Sequence, residues 1–128
     1  MRRQVAASYV SGRVLLAGDA AHMVQTRFGM NMNCGLHDAI AAADALAAAL
    51  HTPAAADGLL ERYGRERRSI ATSQLLPHAD RGIPGAETWA AELTDAAADP
   101  ERTRAWLRTA CMLDIPGLRT TAAATVAG

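Results

Sequence analysis

Apolar and polar positions follow two different periods along this chain, and helical spacing dominates. A nearly unbroken apolar run at 14–17 predicts a short strand buried on both faces, and the mixed stretch 5–10 predicts a weaker strand. Farther on, apolar residues recur at intervals of three and four, which predicts a long helix beginning near Asn33 or Gly35. Its predicted inward face is Leu36, Ile40, Ala43, Ala47 and Leu50.

Start signals predict further helices in the second half. Thr52-Pro53 and Asp99-Pro100 each combine a capping residue with proline at the first helical position. They predict one helix from Ala54 to about Gln74 and another that runs to about Leu113, with a helix over 86–98 between them. Predicted inward positions are Leu59, Leu60, Tyr63, Ile70, Trp89, Leu93, Trp106, Leu107 and Met112. The predicted fold class is mainly α with one or two short β-strands.

Composition and charge bear on the size of the core and on the partners to expect. Half of the 128 residues are apolar, but many are alanine and few are aromatic, so the predicted core is thin. A formal net charge of zero gives no electrostatic reason to expect nucleic acid or an anionic membrane as a partner. No apolar run approaches the ~20 residues of a membrane span. Cys34 and Cys111 are expected to remain thiols in a cytoplasmic protein.

Charged residues and histidines suggest structural roles. A solvated ion-pair face is predicted on the second long helix, formed by Glu61, Arg62, Arg65, Glu66, Arg67 and Arg68. His22 is expected to be a partly buried imidazole bonded to backbone. The histidines and cysteines show no metal-ligand spacing, since Cys34 and His37 form an isolated pair and a closed zinc site needs four ligands.

The segment around Gly18-Asp19 carries the candidate chemistry. A strand that ends in a carboxylate, followed by a loop and a helix start, is a common way to hold a phosphate-sugar cofactor. Asp19 would accept hydrogen bonds from sugar hydroxyls, with capping of the turn after it as the alternative. The free amides of the helix start favour negative charge. Asn33 suits the N-cap, and Asp38 is expected in the first helical turn.

A family resemblance rests on fixed spacing within residues 12–39. The matching residues are Gly12, Arg13, Val14, Leu16, Gly18, Asp19, Ala20, Ala21, His22, Gly29, Asn33, Gly35, Asp38 and Ala39. They resemble the second FAD-binding motif of the class A flavin-dependent aromatic monooxygenases, which are similar to p-hydroxybenzoate hydroxylase. Residues 60–68 and 105–114 resemble two later helices of that family more weakly.

The resemblance implies an FAD site in this segment. Asp19 would hold the ribitol, and the predicted cofactor-binding residues are Gly18, Asp19, Gly29, Asn31, Met32, Asn33, Cys34 and Gly35. NAD(P)H would be the reductant and a small aromatic or polyketide-like molecule the substrate. No catalytic residue is predicted, because the flavin carries the chemistry. The loop departs from the family at Phe28 and at Asn31, which replace glycines; Asn31 is expected to adopt positive φ. Met30 and Met32 are also expected to pack.

The family's G-x-G-x-x-G element and its substrate domain have no counterpart here. The chain is therefore expected to be a C-terminal fragment of the α/β, Rossmann-like FAD-binding fold. Residues 1–76 would complete the FAD-binding domain, and residues 77–128 would form a helical extension and tail. The expected partner is an N-terminal FAD-domain half or a second copy of the chain. The alternative is an inactive remnant that acts as a helical dimerisation or partner-binding module.

Overall fold

Helices dominate the structure, a computed structural model that describes residues 3–24, 29–80 and 85–114. The α-helices of this part are α1 (Met30–His51), α2 (Ala56–Ile70), α3 (Leu76–Asp80), α4 (Ala86–Ala96) and α5 (Pro100–Ala110). The prediction of a mainly helical chain is thus confirmed. Within the described residues, no helix is both long enough and apolar enough to cross a membrane.

The strands are more numerous and shorter than predicted. The described residues contain four two-residue strands: β1 (Gln4–Val5), β2 (Val10–Ser11), β3 (Val14–Leu15) and β4 (His22–Met23). Strand β1 pairs antiparallel with β4, and β2 pairs antiparallel with β3. The prediction of a strand buried on both faces at 14–17 is wrong for this chain, since Val14 is 64% exposed. The reason is that β3 has β2 as its one partner among the described strands.

Helix α1 starts earlier than predicted, at Met30. Gly29 precedes it with φ of 68°, a left-handed conformation that glycine adopts without steric cost. Consequently Asn33 lies inside the helix and is not its N-cap, and Asp38 lies well beyond the first turn. The start depends on backbone geometry at a glycine, which side-chain capping preferences do not reveal.

The predicted inward face of α1 points outward. Leu36, Ile40 and Leu50 are 58%, 46% and 79% exposed, and the buried residues of the helix are Met30, Cys34, Asp38 and Ala49. Close packing explains the choice of face. A Cβ at Gly35 would lie 3.1 Å from the Cα of Gly18, so only the glycine side of the helix can approach the turn that contains Gly18. Backbone proximity has therefore overridden side-chain hydrophobicity.

The second long helix is segmented rather than continuous. Thr52 makes no side-chain capping bond, and a 3₁₀ turn at Pro53–Ala55 leads into α2. After α2 the chain forms a π-helical turn, Ala71–Leu75, before α3. The Thr72 hydroxyl donates to the carbonyls of Arg68 and Ser69, both at 3.0 Å, and such back-bonding perturbs regular helix geometry. Thr52 is thus the N-cap residue of the 3₁₀ turn and Pro53 follows it, as predicted, but the Thr52 side chain contributes no capping hydrogen bond.

Helix α5 begins as predicted and ends sooner. The Asp99 side chain accepts from the amides of Glu101 and Arg102, and Pro100 occupies the first position. At the other end, Met112 has φ of 58°, and the amides of Met112 and Leu113 donate to the carbonyls of Thr109 and Arg108. This is the Schellman pattern, here with methionine where glycine is usual. Leu93 and Leu107, predicted to face inward, are 40% and 46% exposed, although α4 and α5 pack on each other.

Met112 ties the end of α5 to the core. Its side chain is fully buried in the main apolar cluster, whose members are Val24, Met30, Cys34, Ile70, Leu75, Ala79 and Met112. Two polar contacts reinforce this docking on α1: Asn33 Nδ2 donates to the Ala110 carbonyl at 2.9 Å, and His37 Nε2 lies 3.2 Å from the Cys111 carbonyl. The predicted division of the chain at residue 76 stays a prediction.

Candidate functional site

A tight turn after β3 forms the centre of the candidate site. Residues Gly18–Ala20 make a 3₁₀ turn in which Gly18 has φ of 60°. The Gly18 amide donates to Asp38 Oδ2 at 3.0 Å, so the turn is bonded directly to α1. The Tyr63 hydroxyl donates to the Leu16 carbonyl at 2.7 Å and joins the preceding segment to α2. Both long helices therefore determine where this turn lies.

Asp19 is exposed on the turn. Its Oδ1 accepts a hydrogen bond of 2.8 Å from Asn31 Nδ2 in the first turn of α1. The alternative role predicted for it, capping of the following turn, does not occur: Ala17 is the residue that precedes the 3₁₀ turn, and no side chain caps that turn. An exposed carboxylate that one amide holds in place can accept further hydrogen bonds from a ligand's hydroxyls.

A cavity of about 500 Å³ opens beside Asp19. Its walls come from β1, β4 and the turn; the lining residues are Arg3, Gln4, Val5, Ala6, Asp19, Ala20, Ala21, His22 and Met23. Ligand sites commonly have volumes of about 300–1,000 Å³. The wall carries both a cationic side chain, Arg3, and the Asp19 carboxylate, so it can bind a ligand that has both hydroxyl and anionic groups.

The N-terminus of α1 adds backbone donors near Asp19. The amides without an intrahelical partner are those at the start of the helix, from Gly29 to Met32. No acidic residue lies in that first turn, so the positive end of the helix dipole is uncompensated there by α1's own side chains. Cys34 and Gly35, two of the predicted cofactor-binding residues, lie inside the helix and not at its free end, because α1 begins at Met30.

Asn31 occupies a different conformation from the one expected. It lies in the helix, and Met112 is the non-glycine residue with positive φ among the described residues. The Asn31 side chain instead joins three elements: Oδ1 accepts from the Val24 amide at 3.3 Å and lies 3.0 Å from His22 Nδ1, while Nδ2 donates to Asp19. The neighbouring Phe28 lies outside the described residues.

The other predicted site residues fall into two groups. Gly18, Asp19, Gly29 and Asn31 surround the turn and the helix start, and Met32 is 64% exposed there rather than packed. Asn33 bonds to α5, Cys34 is fully buried in the apolar cluster, and Gly35 lies against Gly18. Met30 packs as expected, at 2% exposure.

A buried ionic cluster lies beneath the turn. Asp38 is fully buried; its Oδ1 accepts from Arg67 Nε at 2.6 Å, and its Oδ2 accepts from His22 Nε2 at 2.8 Å. Burial by itself would raise the pKa of the Asp38 carboxyl, but the hydrogen bond from His22 and the charge of Arg67 hold it below its usual range. Asp38 is therefore a carboxylate that two cationic groups and one amide surround.

His22 is buried and bonded to side chains, not to backbone as predicted. Burial by itself would lower the pKa of its imidazole, but the hydrogen bond to Asp38, with smaller contributions from Cys34 and Asn31, raises that pKa to about 10. At neutral pH the ring is therefore an imidazolium. Together with Arg67 and Asp38, it gives the cluster one net positive charge.

Arg67 does not belong to the solvated face predicted for α2, because its side chain is only 3% exposed. The neighbouring pairs do: Arg62–Glu66 and Arg65–Glu61 are exposed, at 3.9 Å and 3.6 Å. A signal in the sequence could have separated Arg67 from these. It shares the three- and four-residue spacing of the buried face of α2, formed by Leu60, Tyr63, Gly64, Arg67 and Ile70.

The fold also brings together three metal-ligand residue types that have no ligand spacing in the sequence. Ligand atoms of His22, Cys34 and Asp38 lie within 4.8 Å of one another. Arg67 already contacts this group, with Nε on Asp38 and Nη2 at 3.7 Å from Cys34 Sγ. A guanidinium at that distance repels a cation, so the group is an ion-pair cluster and not a metal site.

The site thus combines an exposed carboxylate on a turn, a cavity beside it and the start of a long helix. The chain belongs to the FAD binding domain family, whose model matches residues 1–76. It is similar to flavin-dependent aromatic hydroxylases over part of its length. No solved structure matches the chain.

Three relatives illustrate the likeness. The tetracenomycin B2 monooxygenase-dioxygenase of Streptomyces olivaceus is 46% identical over 72 residues, which are 56% of this chain and 13% of the relative. A putative polyketide hydroxylase of Streptomyces coelicolor is 42% identical over 81 residues, 63% of this chain and 13% of the relative. The 3-(3-hydroxy-phenyl)propionate/3-hydroxycinnamic acid hydroxylase of Mycolicibacterium smegmatis is 40% identical over 72 residues, which are 56% of this chain and 13% of the relative. The matched part thus spans about an eighth of these relatives.

Proposed function

We propose that this chain is the FAD-binding portion of a cytoplasmic flavin-dependent monooxygenase that hydroxylates an aromatic or polyketide-like substrate, with NAD(P)H as reductant and O2 as oxidant. The family match supports FAD, and the relatives' names support the reaction and substrate class. Bound FAD would supply the redox and oxygen chemistry. The residues of this chain would bind and orient the cofactor, and none need act as acid or base.

The observation that carries the proposal is the exposed Asp19 carboxylate, which Asn31 holds and which lines the cavity. It would accept hydrogen bonds from the ribitol hydroxyls. Arg3, in the same wall, would offer positive charge to the phosphates. The first-turn amides from Gly29 to Met32 would face the part of the flavin that becomes negative on reduction.

The other predicted cofactor residues would act less directly. Gly18 and Gly35 would permit the close approach of the turn to α1, since a Cβ at Gly35 would lie 3.1 Å from Gly18 Cα. Asn33 and Cys34 would keep α1 in place, through Ala110 and the apolar cluster. We propose residues 1–76 as the FAD-binding unit and residues 77–128 as its helical extension.

We further propose that the cofactor site is completed by an N-terminal FAD-domain half. The two short strand pairs leave sheet edges, Val14 is 64% exposed, and Leu36 and Leu50 of α1 are 58% and 79% exposed. Short two-stranded ribbons are marginal alone, and exposed apolar faces indicate an interaction surface. The chain by itself is expected to bind FAD weakly and to self-associate.

The test compares FAD affinity with and without that half. FAD is titrated into the purified chain, alone and co-expressed with the N-terminal half of a related hydroxylase, while light scattering gives the mass. Asp19→Ala in the assembled form should cost about 1.5–3 kcal/mol of binding free energy, because one hydrogen bond to a charged group is lost. Asp44→Ala, which removes an exposed carboxylate on α1, is the matched control. Equal affinities for the two variants would contradict the role of Asp19.

A second candidate function is a catalytically inactive module that binds a partner or a second copy through α1. The exposed apolar residues of α1 favour it; they are Met32, Leu36, Ile40, Leu46 and Leu50. Colour discriminates the two functions. A colourless, monodisperse dimer that takes up no FAD even with the added half would support the module and overturn the flavoprotein.

A further inference from the structure

A continuous line of hydrogen bonds runs from the core to the exposed carboxylate of the candidate site. It passes from Arg67 to Asp38 at 2.6 Å, from Asp38 to His22 at 2.8 Å and from His22 to Asn31 at 3.0 Å. It ends with Asn31 donating to Asp19 at 2.8 Å. The relay, defined as Arg67, Asp38, His22, Asn31 and Asp19, thus joins α2, α1, β4 and the 3₁₀ turn.

The donors and acceptors of the relay can be assigned from its ends. Asn31 Oδ1 accepts from the Val24 amide and Asn31 Nδ2 donates to the Asp19 carboxylate, which determines the orientation of the amide. The atom that faces His22 Nδ1 is therefore an acceptor, so Nδ1 must carry a proton. At the other ring nitrogen, Nε2 faces a carboxylate that Arg67 keeps ionised, so it must carry one too.

We propose that His22 is a positioning residue that is held doubly protonated and, through Asn31, fixes the carboxylate of Asp19 for the cofactor. The proposal rests on the proposed FAD site. It assigns a role in that site to His22, which is not among the predicted cofactor-binding residues. His22 is 1% exposed, so it acts through Asn31 rather than by touching a ligand in the cavity with its ring nitrogens, both of which are already engaged.

The surroundings of the imidazolium are consistent with a permanent charge. Asp38 and Cys34 face it from α1, Arg67 reaches the same carboxylate from α2, and the Tyr9 ring lies 6.4 Å away on the β1–β2 segment. Asp38 is the carboxylate that contacts it directly. Loss of one ring proton would leave either Asn31 Oδ1 or Asp38 Oδ2 facing an unprotonated nitrogen, so that acceptor would lose one of its donors at a buried position.

The matched variants each keep one half of the ring's function. In His22→Gln, the side-chain amide can reach the position of Nε2 and bond to Asp38, but the donor to Asn31 is lost. In His22→Asn, the shorter amide can replace Nδ1 and bond to Asn31, but the donor to Asp38 is lost. A merely structural histidine would make FAD affinity follow stability in both variants, whichever nitrogen is replaced.

Two readouts test the relay, both on the chain in its complex with the N-terminal half. First, ¹⁵N spectra of His22 should show two protonated ring nitrogens between pH 6 and 8, and the Asn31 side-chain amide should exchange slowly in wild type and His22→Asn but fast in His22→Gln. Second, FAD affinity should fall about tenfold in His22→Gln and by less than about threefold in His22→Asn, although the latter loses more stability.

The outcomes separate the relay from the proposed function. One unprotonated ring nitrogen at pH 7, or equal exchange of the Asn31 amide in the two variants, overturns the relay. Equal FAD affinities in the two variants overturn its positioning role. If wild type binds no FAD, or if Asp19→Ala binds it as wild type does, the proposed function fails, and the ¹⁵N and amide-exchange results still decide whether the relay exists.

Discussion

Helices α1 and α5 begin in two different ways. At α5, Asp99 accepts from the amides of Glu101 and Arg102, and Pro100 follows, so four consecutive residues contain the whole signal. At α1, Gly29 is left-handed and no side chain caps the helix. Its first turn is instead held by Asn31, which bonds to residues on the 3₁₀ turn and β4.

The difference separates local from tertiary stabilisation. The α5 cap is exposed and its hydrogen bonds span only two and three residues, so its loss should mainly affect the start of α5. The α1 start depends on a buried ionic cluster centred on Asp38, whose partners come from distant parts of the chain. It is also the start that carries the candidate function, since it holds Asp19. Substitutions at the two helix starts should therefore differ in how much stability they remove and in how far along the chain their effects extend.

The largest effect is expected from Asp38→Asn. The substitution leaves His22 and Arg67 buried without their counter-charge, and removal of one partner from a buried pair costs about 3–5 kcal/mol. Urea unfolding of the chain measures the loss. Asp44→Asn, on the exposed side of α1, is the control and should change stability by less than about 0.5 kcal/mol. A loss below about 1 kcal/mol for Asp38→Asn would show that α1 is held locally after all.

A pH dependence of stability should follow from His22. Burial opposes its charge, but the hydrogen bond to Asp38 raises its pKa from 6.5 to about 10 in the folded state. The stabilisation is therefore complete below pH 6.5 and is lost as the pH rises from 6.5 to about 10, with a slope of at most about 1.4 kcal/mol per pH unit. The lowered pKa of Asp38 works in the opposite direction, so its contribution is lost in acid.

Urea midpoints from pH 5 to 10 check this dependence. His22→Gln should flatten the decline above pH 6.5, because the titrating group is gone. The protection factors of α5 amides near the Asp99 cap should not change over the same pH range until the chain unfolds globally. A wild-type profile as flat as that of His22→Gln would contradict the buried imidazolium.

The smallest effect is expected from Asp99→Ala. Loss of an N-cap costs about 1 kcal/mol, and here it should expose the amides of Glu101 and Arg102 to faster hydrogen exchange. Exchange in α1 and the affinity for FAD should not change. Faster hydrogen exchange across α1 in this variant would show that the two helix starts are coupled, and that the α5 start is not stabilised by local contacts alone.

Features with a local cause could be predicted from the sequence. The helical character, the Asp99-Pro100 start and the packing of Met30 all follow from propensity, capping chemistry or a short motif. The family resemblance also rested on spacing alone and agrees with the domain match over residues 1–76. The roles of the individual residues toward FAD stay predictions.

Tertiary structure decided which face of α1 is buried. It thereby decided the contacts of Asp38 beneath the candidate site. Periodicity favoured Leu36 and Ile40, yet the glycine face with Gly35 is the one that approaches the turn at Gly18. It likewise moved Arg67 from a predicted ion-pair surface to Asp38, 29 residues away in the chain. A sequence determines local backbone preferences. Which buried charges meet depends on how closely two backbones can approach. That approach is set only when α1, α2 and the turn at Gly18 pack together.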